Sequence, residues 1–330
     1  MKTDSAGCND PVRVLYVGGI GRSGSTIFGR LLSRLDGVSS LGEMGHLWKR
    51  GLSEDHRCGC GQPFSVCPFW QEVGRHAFGG WPRVDISQMI RLQSAVDRNR
   101  FMPWLMAGTG PGDYGARLRE YVEILSRLYA AAGRSSGSEV MVDISKNAPY
   151  AWLLRLVPNL DLRVVHLVRR SEGVAYSWSK KEVRRPEIGS EPQFMEVLPP
   201  ARLAMRWMVA NGLVDLLRAT PTPVLRVRYE DLVATPAATL ARIASFAGAP
   251  AAPDDLACYT SGQIDLPVEH EVSGNPLRFD SGPVRLRLDD KWRTALSPRD
   301  RAVVSVITAP GMLRYGYWPP RRTPAEDRRL

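Results

Sequence analysis

A glycine-rich loop between a predicted strand and a predicted helix constrains this chain more than any other sequence feature. Residues 12–17, Val-Arg-Val-Leu-Tyr-Val, are rich in β-branched residues and predict a strand. Apolar residues recur at helical spacing over 27–35 and predict a helix. Residues 18–26 lie between them and read Gly-Gly-Ile-Gly-Arg-Ser-Gly-Ser-Thr. Because the loop's N–H groups and the helix N-terminus favour negative charge, this unit predicts an anion site in an α/β fold.

The loop has the spacing of the Walker A phosphate-binding motif but lacks the lysine of that motif. From Gly19 it reads Gly-x-x-x-x-Gly-Ser-Thr, and Ser25 stands where the lysine is expected. Arg22 supplies a cation from another place in the loop, and Ser23, Ser25 and Thr26 supply hydroxyl groups. The pattern therefore favours a bound anion and argues against ATP with its γ-phosphate and Mg²⁺. The alternative interpretation is a plain glycine-rich turn.

Strands and helices alternate along the rest of the chain. Strands are predicted at 38–41, 139–143, 162–168 and 224–229, with helices at 86–132 (interrupted at 108–115), 148–157, 169–181, 203–217, 236–247 and 299–307. Residues 51–85 read as irregular. The alternation predicts an α/β fold: a P-loop-like parallel sheet flanked by helices, with helical lid insertions. We expect a single domain over 1–330, with flexible ends at 1–11 and 319–330 and insertions at 50–135 and 182–200.

The net charge of +10 comes almost entirely from arginine. Lys and Arg total 44, of which only six are Lys, against 34 Asp and Glu. This excess suits an anionic partner: nucleic acid, an anionic membrane surface or a phosphorylated nucleotide. A GC-rich genome is the alternative explanation. The arginines are scattered rather than clustered with aromatic residues, which argues against nucleic acid.

The sequence offers neither a membrane span nor a secretion signal. Its longest apolar runs are short, such as 164–168, and residues 1–9 are polar. Cytoplasmic residence is therefore expected. An odd total of five cysteines argues against a disulfide framework.

Three of the cysteines cluster near a histidine. His56, Cys58, Cys60 and Cys67 lie within twelve residues and form a candidate Cys₃His zinc site. The Cys-x-Cys spacing is tighter than the usual Cys-x₂₋₄-Cys, which weakens this hypothesis. Reduced structural thiols and a Cys60–Cys67 disulfide are the alternatives.

A second anion site is predicted where the 162–168 strand ends. Arg169 comes directly after this strand, at the end where α/β sheets bind ligands. Ser177 lies eight residues further on, two turns into the next helix. Both side chains are expected to face one phosphate.

Several motifs, in order, resemble those of sulfotransferases that use PAPS (3′-phosphoadenosine 5′-phosphosulfate). The loop resembles the family's 5′-phosphosulfate-binding loop, and Arg169 with Ser177 resembles its 3′-phosphate-binding pair. Tyr229 lies in an Arg-Tyr-Glu-Asp-Leu run, and residues 143–146, Asp-Ile-Ser-Lys, resemble the Asp-x-Ser-Lys segment of bacterial members. The loop residues that this resemblance assigns to the donor are Gly21, Arg22, Ser23, Gly24, Ser25 and Thr26.

The resemblance also implies the catalytic residues. Glu43 follows Arg22 by 21 residues, like the catalytic Glu of tyrosylprotein sulfotransferases, and is expected to act as general base. Lys146 is expected to hold the sulfuryl group. His46 is the rival base, because cytosolic sulfotransferases use a His. Glu43 as a helix cap or an Arg partner, and Lys146 as a plain surface residue, are the alternative interpretations.

The implied reaction is transfer of the sulfuryl group of PAPS, in line, to a hydroxyl of a small-molecule, sugar or lipid-linked acceptor, with no catalytic metal. The segment from His270 to Arg278 matches a bacterial His-x-x-x-Gly-Asn-Pro-x-Arg pattern, so Ser273 and Arg278 are candidate donor contacts. The insertions are expected on the acceptor side. The enzyme alternative is a P-loop kinase-like phosphotransferase that uses ATP, with Asp143 as a Mg²⁺ ligand.

Overall fold

The chain is described from a computed structural model that covers residues 11–180, 184–185, 193–194, 196–249, 251–257, 259 and 264–318. Residues 1–10 and 319–330, predicted to be flexible, lie outside the described residues, as does most of the 182–200 insertion.

A five-stranded parallel sheet organises the molecule, which confirms the predicted α/β fold. The strands are β1 (Val12–Gly19), β2 (Val38–Gly42), β3 (Val140–Lys146), β4 (Leu160–Val168), β5 (Arg184–Arg185), β6 (Gln193–Phe194), β7 (Val224–Arg228), β8 (Ile264–Leu266) and β9 (Gly282–Val284). The sheet order is β2-β3-β1-β4-β7, so the loop-bearing β1 is central. Two antiparallel pairs, β5–β6 and β8–β9, lie apart from it.

Helices connect the strands, and most of the predicted helices are present with shifted ends. The α-helices are α1 (Ser25–Leu32), α2 (Pro68–Phe78), α3 (Ile86–Val96), α4 (Met102–Ala107), α5 (Gly112–Ser136), α6 (Ala148–Leu154), α7 (Ser171–Ser179), α8 (Pro200–Asp215), α9 (Tyr229–Ala234), α10 (Pro236–Ala247), α11 (Pro253–Ala257), α12 (Trp292–Ala295) and α13 (Pro298–Arg314).

The prediction that 51–85 is irregular was wrong. A π-helix (Leu47–Ser53), a 3₁₀ turn (Phe64–Val66) and α2 occupy much of this stretch. Helix α2 begins at Pro68, a residue well suited to the first helical turn, and buries Trp70, Val73 and Ala77 at helical spacing. The helical period of α2 was not recognised in the sequence because the segment is short and lies among glycines and the cysteine cluster.

The two faces of β1 carry alternating apolar residues, as a sheet covered on both sides requires. Leu15 and Val17 pack with α1 and α10. Val14 and Tyr16 face the other layer, to which the 50–135 segment contributes buried side chains from α2, α3 and α5. That segment therefore forms much of one helical layer over the sheet. Within the described part of the chain, no helix has both the length and the apolar character needed to cross a membrane.

Candidate active site

The carboxyl ends of the parallel strands bring the predicted site residues to one edge of the sheet. Glu43 follows β2, Lys146 ends β3, Arg169 follows β4 and Tyr229 follows β7, while β1 leads into the glycine-rich loop. A cleft of about 980 Å³ opens along this edge. The predicted site residues that line it are Gly21, Arg22, Gly24, Ser25, Thr26, Glu43, His46, Lys146, Arg169, Ser177 and Tyr229.

Glycine is required at two positions of the loop because the backbone there leaves no room for a side chain. Gly19 has φ +145°, and a Cβ would lie 2.5 Å from the carbonyl oxygen of Leu167. Gly24 has φ +87°, and a Cβ would lie 2.5 Å from the ring of Tyr229. The Tyr229 ring thus supports the loop directly at the start of α1.

The hydroxyl groups of the loop are not equivalent. Ser23 is buried, and its Oγ donates to the carbonyl oxygen of Ile20 at 2.8 Å, so its proton is used within the loop. Ser25 and Thr26 line the cleft at the first turn of α1. The guanidinium of Arg22 lies 5.9 Å from the centre of the Trp178 ring, which also lines the cleft.

Glu43 is a buried carboxylate that faces two cationic side chains and an imidazole. Its Oε1 accepts a 2.5 Å hydrogen bond from Lys146 Nζ. His46 Nε2 lies 3.4 Å, and Arg50 Nη1 3.7 Å, from Oε2. Burial alone would raise the pKa of Glu43, but Lys146, His46 and Arg50 outweigh it and lower the pKa from its ordinary 4.5 to about 2. Glu43 is therefore ionised while this pairing lasts.

The side chain of Lys146 is positioned by a hydrogen bond to the backbone of its own strand. It adopts φ +66°, and Nζ also donates to the Ile144 carbonyl oxygen at 2.8 Å. The prediction had ended the strand at residue 143, whereas β3 continues to Lys146 and carries that side chain into the cleft. Sequence analysis missed Arg50, which lies on the π-helix and has no spacing signal among so many arginines.

Arg169 lies at the other end of the cleft and also faces a carboxylate. Its Nη1 donates to the carbonyl oxygen of Arg22 at 2.9 Å, and its guanidinium stacks 4.6 Å from the centre of the Tyr229 ring. Its Nη2 pairs with Asp289 Oδ2 at 3.2 Å, and Lys180 Nζ lies 3.7 Å from the same oxygen. Asp289 and Lys180 line the cleft but carry no motif that would have identified them.

Asp143, the Mg²⁺ ligand of the kinase alternative, is a buried residue of β3 with both carboxylate oxygens engaged. Oδ1 accepts from the backbone N and the hydroxyl of Ser145, and Oδ2 accepts from the Tyr129 hydroxyl at 2.5 Å. Burial raises the pKa of Asp143 to about 6. A Walker B carboxylate must face the phosphates, so this geometry supplies no such ligand.

Ser273 and Arg278 lie behind the cleft wall rather than in it. Ser273 Oγ accepts from Arg50 Nη1 at 2.6 Å, and Arg278 Nη1 donates to the Gly274 carbonyl oxygen at 2.8 Å. Gly274, Asn275 and Leu277 form that part of the wall. Ser273 and Arg278 thus hold the shape of the loop from inside.

The zinc hypothesis named the wrong histidine. His56 Nε2 lies 3.1 Å from Glu54 Oε2, outside the thiol cluster. The imidazole that joins Cys58, Cys60 and Cys67 is that of His270, with all four candidate ligand atoms within 4.8 Å of one another. Its distance along the chain, more than 200 residues, concealed this contact from sequence reasoning.

Comparisons with known proteins identify the family and the fold of this chain. The model of a family described as the sulfotransferase family matches residues 15–254. Among solved structures, the sulfotransferase domain of the Synechococcus PCC 7002 olefin synthase is 20% identical, with a TM-score of 0.52 over 97% of this chain and 99% of that one. No curated protein matches the sequence.

Two further solved structures are more distant. The sulfotransferase domain from the curacin biosynthetic pathway is 17% identical over 91% of this chain and 97% of its own, with a TM-score of 0.47. A sulfotransferase from Mycobacterium avium is 15% identical over 92% of this chain and 77% of its own, with a TM-score of 0.46.

Proposed function

The chain belongs to the sulfotransferase family, and from that premise we propose that it transfers the sulfuryl group of PAPS to an acceptor hydroxyl. The observation that carries the proposal is the contact between Glu43 and Lys146 beside the phosphate-binding loop. Under this proposal Glu43 would be the base and Lys146 the donor-binding cation, side by side where the donor's 5′ end is expected.

The two anion sites of the cleft suit the two charged ends of PAPS. The loop N–H groups, the α1 N-terminus and Arg22 would bind the 5′-phosphosulfate. Arg169 and Ser177, which line the same cleft, would bind the 3′-phosphate. Lys146 would contact the sulfuryl oxygens and the bridging oxygen, where negative charge develops as the S–O bond breaks.

Glu43 would take the proton of the acceptor hydroxyl as the new O–S bond forms. With a pKa of about 2 in its present pairing, it is a weak base. The donor's negative charge would draw Lys146 away from Glu43, and burial would then raise the pKa of the carboxyl. Donor binding would thus activate the base, and His46, at 3.4 Å, would help to orient it.

The wall of the cleft near α8 favours an acceptor with an apolar part. Met205 and Val209 are 56% and 46% exposed, and both line the cleft with Trp178. Small-molecule, sugar and lipid-linked acceptors all remain within this proposal, and an apolar portion would cover this wall.

The test uses the product nucleotide before any acceptor is known. Adenosine 3′,5′-bisphosphate should raise the thermal unfolding midpoint, and ATP with Mg²⁺ should raise it much less at equal concentration. Labelled PAPS should then transfer its sulfuryl group to members of an acceptor panel. Stabilisation by ATP alone, with ATP-dependent phosphorylation of an acceptor, would overturn the proposal.

A further inference from the structure

We propose that Cys58, Cys60, Cys67 and His270 bind one Zn²⁺ ion. The ion would link the loop that carries the three cysteines to the segment after His270, which forms the wall of the cleft near Glu43. This site is structural and takes no part in sulfuryl transfer. A failure of the zinc proposal would therefore leave the proposed function unaffected, and the reverse is also true.

Three of the distances among the four side chains match those of a tetrahedral ion, and all four ligand atoms lie within 4.8 Å of one another. Cys60 Sγ lies 3.8 Å from Cys67 Sγ. His270 Nδ1 lies 3.3 Å from Cys67 Sγ and 3.7 Å from Cys58 Sγ. With Zn–S near 2.3 Å and Zn–N near 2.0 Å, a tetrahedron separates two sulfurs by about 3.8 Å, and sulfur from nitrogen by about 3.5 Å.

The ligand chemistry identifies both the metal class and the role. Three thiolates and one imidazole form the Cys₃His set that Zn²⁺ accepts in structural sites. All four tetrahedral positions would be filled by protein, which leaves none for water or substrate. Cys58 and Cys67 are buried and the other two are half-buried, so the ion would be shielded from solvent.

The Cys-x-Cys spacing is shorter than usual for zinc, but a tight turn in the chain brings these thiols close to Cys67. The backbone N of Cys58 donates to the Gln62 carbonyl oxygen at 2.8 Å, and Gly61 N donates to the Cys58 carbonyl oxygen at 2.8 Å. Gly61 has φ +86°, which allows the chain to reverse between the two thiols and Cys67.

Contacts that need no metal already place His270 against the cysteines. Gly59 N donates to the Glu271 carbonyl oxygen at 3.0 Å, and a Cβ on Gly59 would lie 2.5 Å from the Glu269 carbonyl oxygen. The Phe69 ring stacks on the imidazole, with centres 5.0 Å apart. Packing therefore brings the four ligands together, and a bound ion would add its own binding free energy to the stability of this arrangement.

The segment that follows His270 connects the ion to the active site. Val272 N donates to the Leu41 carbonyl oxygen at 2.9 Å, at the end of β2. A Cβ on Gly274 would lie 3.9 Å from Glu43 Oε1. The ion would thus hold the backbone of this wall in place beside Glu43.

Metal analysis of protein purified without a histidine tag tests the proposal. We expect about one zinc per chain by mass spectrometry of the metal. The ion should be lost in His270→Ala and retained in His56→Ala, the matched histidine control. Replacement by Co²⁺ should give the visible bands of a tetrahedral site and thiolate-to-cobalt charge transfer, a readout that does not depend on activity. His270→Cys should retain zinc, because Cys₄ is also a structural set.

Three outcomes would overturn it. One is wild-type protein without metal and with all three thiols reactive. Another is an intact mass two hydrogens lower, with peptide mapping that assigns the missing hydrogens to a Cys60–Cys67 disulfide. The third is zinc that is lost from His56→Ala but kept in His270→Ala. Since the first two are measured on wild-type protein, misfolding of a variant cannot mask them.

Discussion

The two ends of the cleft each hold a cation paired with a carboxylate, but the carboxylates differ in burial and support. The Glu43 side chain is 10% exposed, follows β2 directly and faces Lys146, Arg50 and the imidazole of His46. Asp289 has a 27% exposed side chain, lies in the loop between β9 and α12, and pairs with Arg169 and Lys180.

The comparison suggests two roles for the same kind of ion pair. At the Glu43 end the carboxylate directly follows β2 and pairs with Lys146, so under the proposed function we assign it to the chemistry. At the Asp289 end the carboxylate occupies the position expected for the 3′-phosphate, so we assign it as a substitute anion that the nucleotide displaces.

Glu43→Gln should reduce turnover by roughly 10²–10⁴-fold, because it removes the proposed base. Binding of adenosine 3′,5′-bisphosphate, measured by calorimetry, should remain close to wild type. Turnover is measured with labelled PAPS and the acceptor found in the panel. His46→Ala is the matched comparison, and full activity of Glu43→Gln with loss in His46→Ala would transfer the base role to His46.

The stability of the protein should depend on the ionisation of Glu43 at acid pH. Its folded pKa of about 2 lies below the ordinary 4.5, so its contribution is complete above about pH 5 and is lost as the pH falls toward 2. The difference in unfolding free energy between wild type and Glu43→Gln should shrink by about 3 kcal/mol over that window, at ~1.4 kcal/mol per pKa unit.

Denaturant titrations at several pH values measure this difference. Glu120→Gln, an exposed change on α5, controls for loss of a negative charge. Equal pH dependence of the Glu43 and Glu120 variants would mean that the Lys146 contact does not stabilise the carboxylate.

Arg169→Ala should weaken binding of adenosine 3′,5′-bisphosphate by ~10–150-fold, since a charge-assisted hydrogen bond contributes ~1.5–3 kcal/mol. Adenosine 5′-phosphate, which lacks the 3′-phosphate, should bind the variant nearly as well as wild type. If both nucleotides lost affinity equally, Arg169 would act only through its contact with the Arg22 carbonyl oxygen.

Asp289→Asn should tighten binding of the bisphosphate by about 1.4–5-fold, because a partly exposed ion pair contributes only ~0.2–1 kcal/mol. Asp290→Asn, one residue further along the same loop and exposed, is the control and should bind as wild type does. Weaker binding by Asp289→Asn would show that this carboxylate positions Arg169 rather than competing with the nucleotide.

The local pattern of apolar and turn-forming residues was sufficient to predict much of the fold. The strand–loop–helix unit at 12–35 and the apolar strands before residues 43, 146 and 169 were predicted from sequence and agree with the sheet. Helix α2 was missed because its period spans only three turns and is flanked by loop-forming residues. The strand containing Lys146 was predicted too short, because its last residues are polar.

The sequence by itself determined which residues lie at the strand ends, because period and turn chemistry are local and parallel strands all end at one edge of the sheet. Only the tertiary structure decided which side chains meet there. Asp289 reaches Arg169 across 120 residues, and His270 rather than His56 reaches the cysteines. Such contacts depend on the packing of distant loops, and no local spacing encodes them.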